Sequence, residues 1–111
     1  MVVNLKIEEL QPESNFDVLK VRIISKSEPR QVQSQGRVLY VWDILVIDDT
    51  GSTTLTLWGQ DAGEKYKVGQ VVSIENGWCK MFRDRKQISL GRGGKIFPAE
   101  DDPAIPTKLE E

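Results

Sequence analysis

The stretch GQVVSIENGWCKMFRDRKQISLG, Gly69 to Gly91, decides how the rest of the chain is read. Val71-Val72-Ser73-Ile74 alternates as a strand does and Gln87-Ile88-Ser89-Leu90 alternates again, so the segment reads as a β-hairpin. Trp78 and Phe82 fall where the apolar alternation stops, and Arg83, Arg85 and Lys86 follow at once. Rings at that boundary are poorly placed for a core. Rings beside cations suit stacking on unpaired bases along a phosphate backbone, the chemistry of single-stranded nucleic acid.

Working outward, Ser52 to Trp58 alternates Thr54, Thr56 and Trp58 against Leu55 and Leu57. The leucines belong to a core, so the phase turns Trp58 away from it. Asp48-Asp49-Thr50-Gly51 before this strand has the composition of a tight turn, a simpler reading of two adjacent carboxylates than a metal site. Arg37 to Asp48 is a further strand, apolar on both faces, which leaves Trp42 either filling the interior or lying on the outer face. Asn15 to Ser27 is a long strand, Glu28-Pro29 breaks it, and Gln31 to Gly36 reads as a polar loop. Leu5 to Leu10 reads as a short helical turn. Gly59 to Lys67 offers the one helical connection between strands. Gly91-Arg92-Gly93-Gly94 reads as flexible, and the acidic, proline-containing stretch beyond Pro98 as an exit tail, dividing the chain into a domain over 1–98 and a tail over 99–111.

These elements predict an all-β fold: a five-stranded barrel of OB type with a short helical connection between the third and fourth strands. Closure of the barrel removes the exposed edges that five short strands would present. In that fold the ligand face comprises the second and third strands with the loops joining strands 1 and 2 and strands 4 and 5.

Charge points to the same face. The chain of 111 residues has a net charge of −2, with 39% hydrophobic and 29% charged residues, ordinary values for one globular domain. Its cations are nevertheless segregated. Lys20 to Arg37 carries five against Glu28 alone, and Asn76 to Pro98 carries six against Asp84 alone. Both segments overlap the loops of the ligand face, so Arg30, Arg37, Lys80, Arg83, Arg85, Lys86 and Arg92 are candidate phosphate contacts, with Val32 a candidate apolar contact to a base or sugar. A single cysteine, Cys79, excludes an internal disulfide and a cysteine-cluster metal site. The absence of histidine removes the commonest general base, and no nucleophile–base pair can be assembled. A non-enzymatic protein without cofactor or metal is expected. No apolar run approaches the roughly 20 residues that span a bilayer and the N-terminus lacks a signal-peptide start, so a cytoplasmic, intracellular protein is expected.

The ordered motifs Ser27-Glu28-Pro29-Arg30-Gln31, Asp48-Asp49-Thr50-Gly51, Leu55-Thr56-Leu57-Trp58-Gly59, Gly69 to Trp78, Phe82 and Gly91-Arg92-Gly93-Gly94 resemble those of the archaeal single-OB-fold single-stranded DNA-binding proteins. They are similar also to the human single-stranded DNA-binding proteins of the SOSS type. No one motif is specific, but the set covers the chain from about Val3 to Phe97 in family order. The resemblance implies single-stranded DNA as ligand, stacked on aromatics at Trp58, Trp78 and Phe82, in replication, recombination or repair, and a nucleoid-associated location in an archaeal cell. Family members usually carry a long Gly- and Arg-rich or acidic tail, where this sequence has a short acidic stretch. They often carry an aromatic near the end of the fifth strand, where this sequence has Ser89-Leu90, so nothing is carried over there. The expected partners are single-stranded DNA, single-stranded RNA more weakly, and DNA-processing proteins, with a monomer in solution and no membrane. Two alternatives stay open: an RNA-binding OB module, and a protein-interaction OB subunit that uses the apolar Val38 to Ile47 strand as its interface.

Overall fold

Strand-forming sequence dominates the local structure, and six strands carry the fold: β1 (Ser14–Lys26), β2 (Arg30–Ser34), β3 (Arg37–Ile47), β4 (Ser52–Trp58), β5 (Val71–Phe82) and β6 (Arg85–Pro98). The computed structural model describes residues 5–59 and 62–107, and of Ser34, Phe82, Gly91 and Arg92 the backbone alone. β1 is antiparallel to β5, β5 to β6, β4 to β3, and β3 to both β2 and β1, while β4 and β6 pair in parallel. The pairings therefore run β1–β5–β6–β4–β3 and return to β1, with β2 as an added strand on β3.

The interior follows from strand phase. Leu19, Val21 and Ile23 of β1, Ile44 and Val46 of β3, Leu55 of β4 and Val72 and Ile74 of β5 have no exposed surface. Cross-strand partners carry the rows across the sheet, as in Ile44 opposite Leu55, Leu55 opposite Ile88, and Ile88 opposite Cys79. Trp42 belongs to this interior at 6% exposure, which settles its orientation. Its indole N–H donates to the Gly59 carbonyl at 3.1 Å.

Five expectations are corrected. The helix between the third and fourth expected strands, now β4 and β5, is not formed among the described residues, and the part of that expectation on residues 60–61 lies outside them. Among the described residues the one helical element is the 3₁₀ turn Ile7–Glu9, and residues 62–65 are turns. The Trp42 ring lies so close to Gly63 that a Cβ there would overlap it, and Lys26 Nζ takes the carbonyls of Gly63 and Tyr66 at 2.9 and 2.7 Å. Tertiary packing thus claims the groups a helix would need. Second, Gln31 to Gly36 is no loose loop, since Arg30 to Ser34 pairs residue for residue with Arg37 to Val41. Gln35 and Gly36, at φ 52° and 78°, make the two-residue turn whose twist suits a hairpin. Third, this adds a sixth strand to the five expected.

Fourth, the Gly91–Gly94 segment stays in β6. Five steps along β6 from Leu90 to Lys95 lie opposite two along β5 from Glu75 to Gly77, so the glycines occupy a wide bulge. Fifth, residues 99–107 remain on the molecule. The Arg22 side chain, 4% exposed, donates to the carbonyls of Gly69, Asp102, Ile105 and Pro106 at 2.8 to 3.1 Å and pairs with Asp101 at 2.7 Å. Ile105 is buried beside it. A buried cation surrounded by carbonyl acceptors needs those acceptors held in place, which ties the segment to β1.

The Asp48–Gly51 turn forms as expected. Asp48 Oδ1 accepts from the Thr50 and Gly51 N–H groups and Oδ2 from the Ile7 N–H at 2.7 Å, joining the turn to the 3₁₀ segment.

Gly77 is a packing requirement. It sits opposite Phe16, and a Cβ would fall within the Phe16 ring. Gly77→Ala is expected to destabilise the fold by about 1–3 kcal/mol, the usual range for overpacking, read as a lower urea midpoint. An unchanged midpoint would show that Phe16 does not seal this position.

Candidate nucleic-acid interface

Residues directly opposite each other in a ladder share a face, so the register assigns the outer surface. Trp58 lies opposite Val41, and Val41 opposite Arg30. Two residues back along β4, Thr56 lies opposite Ser89 of β6, and Ser89 opposite Trp78 of β5. Two residues further, Thr54 lies opposite Gln87 and Gln87 opposite Lys80. The surface thus runs from Arg30 and Val32 on β2, past Leu39 and Val41, to Trp58, then across Thr56 and Ser89 to Trp78 and Lys80. From two strand spacings and two residues of rise, the Trp58 and Trp78 backbones are roughly 12 Å apart.

Exposure along this face is uneven in a way that suits stacking. Trp58 is 56% exposed, whereas Val41, on the same face between Trp58 and Arg30, is 1% exposed. Trp78 is half-buried, as is Val32. Phe82 lies opposite Arg85 at the tip of the β5–β6 hairpin; its side chain is outside the description, as is that of Arg92.

The cations sit at the two ends. Arg83 and Asp84 form a two-residue turn, both at positive φ, that presents Arg83 and Arg85 at the exposed hairpin tip. Arg83, Arg85 and Lys86 then line a groove of about 730 Å³ with Ser52, Thr53, Thr54 and Gln87. Lys86 is half-buried, its Nζ 3.5 Å from the Glu8 carbonyl. At the other end Arg30 and Arg37 are exposed on the β2–β3 hairpin. Arg30 Nε donates to Asp43 Oδ2 at 2.8 Å, and this hydrogen bond, reinforced by the opposite charge, raises the Arg30 pKa. A hollow of about 500 Å³ near Leu10, Phe16, Val18 and Cys79 has no lysine or arginine in its lining and does not suit a polyanion.

Register thus brings Arg30, Val32, Trp58, Trp78 and Lys80 onto one surface, with Arg85 and Lys86 at its margin and Arg37 at the hairpin end. Sequence reasoning placed Thr56 on the face of Trp58 by their shared phase and missed Leu39, Val41, Asp43 and Ser89, which depend on pairings between distant strands.

A small all-β chain with aromatics on an open sheet face and cations at its ends is of the OB-fold class. The family model for the single-stranded DNA binding protein Ssb-like OB fold matches residues 10–98, and the chain belongs to that family. It is 39% identical over 97 residues to the single-stranded DNA binding protein Ssb of Saccharolobus solfataricus, covering 87% of this chain and 65% of that protein. It is 31% identical over 102 residues to replication factor A of Methanothermobacter thermautotrophicus, covering 86% of this chain and 13% of that protein. The chain therefore spans less than two thirds of the length of either relative. The fold is similar to one in a replication protein A heterotrimer bound to single-stranded DNA, at TM-score 0.77 and 20% identity over 96% of this chain and 27% of that one. It is similar also to an OB domain from Thermoplasma acidophilum, at TM-score 0.70 and 21% identity over 96% and 92%. Among the described residues no helix is long and apolar enough to cross a membrane.

The outer phase of Trp78 and Lys80 requires Cys79 between them to face inward, and the residue is 1% exposed. Burial pushes the Cys79 pKa up, with Lys86 opposing and Glu13 adding to the shift. Cys79 is therefore expected to resist a thiol reagent in the native protein and to react fully in denaturant. Rapid native labelling would mean that β5 has the opposite phase.

Proposed function

We propose that this chain binds single-stranded DNA with little sequence preference, stacking bases on Trp58, Trp78 and Phe82 and holding phosphates with the basic residues at either end of the face. The observation that carries the reading is the placement of Trp58 and Trp78 on one outer surface, two strands apart, with Arg30 at one side and Lys80 at the other. Any base offers a π-face, so stacking is tolerant of sequence, and a duplex hides those faces, so an unpaired strand is preferred. The returning strand pairings support a closed barrel as the rigid scaffold. The names of the relatives support the same ligand and service in replication, and recombination or repair, which also expose single strands, belong to the same reading.

Several finer points belong to this reading. The protein acts as a binding module, as a monomer, in the cytoplasm or on the nucleoid. RNA binds more weakly, because nothing on the face identifies a reader of the 2′-hydroxyl. DNA-processing proteins would meet the molecule away from the sheet face. An interface built on the Val38–Ile47 strand is disfavoured, since Val41, Ile44, Val46 and Ile47 are buried and Val38 alone among its aliphatic residues is strongly exposed.

Fluorescence anisotropy with labelled oligo-dT, oligo-U of equal length and a matched duplex tests the proposal. Trp58→Ala and Trp78→Ala are each expected to weaken oligo-dT binding roughly tenfold to a hundredfold, from ~1–3 kcal/mol per stacked base, with stability little changed. Added salt is expected to weaken binding of the native protein. Tighter binding of oligo-U would favour the RNA module, and unchanged affinity in both variants would remove the stacking account.

A further inference from the structure

Asp43 is the one acidic residue among the outward positions of β2, β3, β4, the Arg85–Ser89 part of β6 and the Trp78–Phe82 part of β5. Its backbone lies opposite Thr56, two residues along β3 from the row that holds Trp58, Val41 and Arg30. Its carboxylate accepts from Arg30 Nε at 2.8 Å, and both side chains reach solvent at 33% and 58% exposure. The anion thus lies on β3 between Arg30 of β2 and the hydroxyl-bearing strand β4, away from the cations of the β5–β6 hairpin.

That position matters because the two parts of a nucleic acid differ in charge. A phosphate laid across β3 and β4 would meet Asp43 directly, and Arg30 nearby is already partly neutralised by it. A base laid flat on Trp58 or Trp78 brings no charge to the same spot. An unpaired strand can turn its bases to the sheet and its phosphates outward to Arg37, Lys80 and Arg85. A duplex, with the faces of its bases enclosed, has no ring to lay on the tryptophans and brings its phosphate backbones to this surface.

We propose that Asp43 is a specificity-determining residue of this face, repelling a phosphate backbone from the centre of the sheet and so disfavouring duplex DNA and simple polyanions relative to an unpaired strand. The inference rests on the single-stranded DNA reading above and adds to it a repulsive element, the usual means by which an interface rejects a chemically related competitor. The alternative role, holding Arg30 in position for a phosphate, makes the opposite prediction, because loss of the carboxylate would then weaken binding.

The test compares the native protein with Asp43→Asn and Asp43→Ala at low ionic strength, where a single charge is least screened. Three probes are used: oligo-dT, a duplex of the same length, and inorganic polyphosphate. Thermal unfolding of each variant first establishes that it folds, and the exposure of the carboxylate makes two independent failures unexpected. Removing one charge within a few ångströms of the competing phosphates should tighten duplex and polyphosphate binding roughly three- to tenfold in both variants, with oligo-dT changed by less than about twofold. Added salt should erase the difference. Equal tightening of all three probes would overturn the proposal, as would no change in any of them. Weaker oligo-dT binding with the duplex unaffected would assign Asp43 the positioning role instead. Failure of the native protein to bind oligo-dT would overturn the parent reading, a result distinguishable from any of these.

Discussion

The row Leu55–Ile88–Cys79 is the constraint on which the rest depends. These three residues pair across β4, β6 and β5 and are 0 to 1% exposed. Because side chains alternate along a strand, fixing this row inward fixes the neighbouring row, Thr56–Ser89–Trp78, outward. A one-residue slip in any of the three strands would move that strand's apolar set to solvent, and in β5 it would also bury Trp78. The hydrophobic effect that closes the core therefore also aims the rings, and the site needs no dedicated device to expose them.

Much of this was legible in the sequence where one strand settled its own phase. Ser52 to Trp58 declares its faces because the leucines and threonines do not mix, and Trp58 follows from them. β5 was legible up to Ile74 and then from Trp78 and Cys79 onward, with Asn76 at φ 54° and Gly77 interrupting the alternation. β3 was not, since apolar residues occupy both of its faces; Trp42 goes inward because Gly63 and the Gly59 carbonyl receive it. The strand at Arg30–Ser34 was hidden by its polar composition, which propensity reads as loop, and is defined by pairing with β3. The retention of residues 99–107 was hidden for the same kind of reason: a proline- and acid-rich stretch gives no local sign that a buried arginine some eighty positions earlier will hold it. Local periodicity finds elements that organise themselves, whereas elements organised by distant partners are found only once the partners are placed.

The distribution of charge gives the same surface a second property. Cations sit on the β2–β3 and β5–β6 hairpins, at the two margins of the sheet, and the centre holds tryptophans, hydroxyls, a glutamine and one carboxylate. A chain with net charge −2 can in this way attract a polyanion locally without becoming a general cation. On the proposed reading, stacking supplies the part of the affinity that a duplex cannot obtain. Beneath the face the Leu55–Ile88–Cys79 row is closed, which fixes the strands that carry Trp58 and Trp78.

The most direct test of this division between inner and outer rings is the behaviour of the three tryptophan indole N–H resonances during titration with oligo-dT. The account predicts that the Trp58 and Trp78 signals move together with increasing oligonucleotide while the signal of the buried Trp42, whose N–H is committed to the Gly59 carbonyl, stays in place. Movement of Trp42 with Trp58 and Trp78 stationary would contradict it and place the binding surface elsewhere on the molecule.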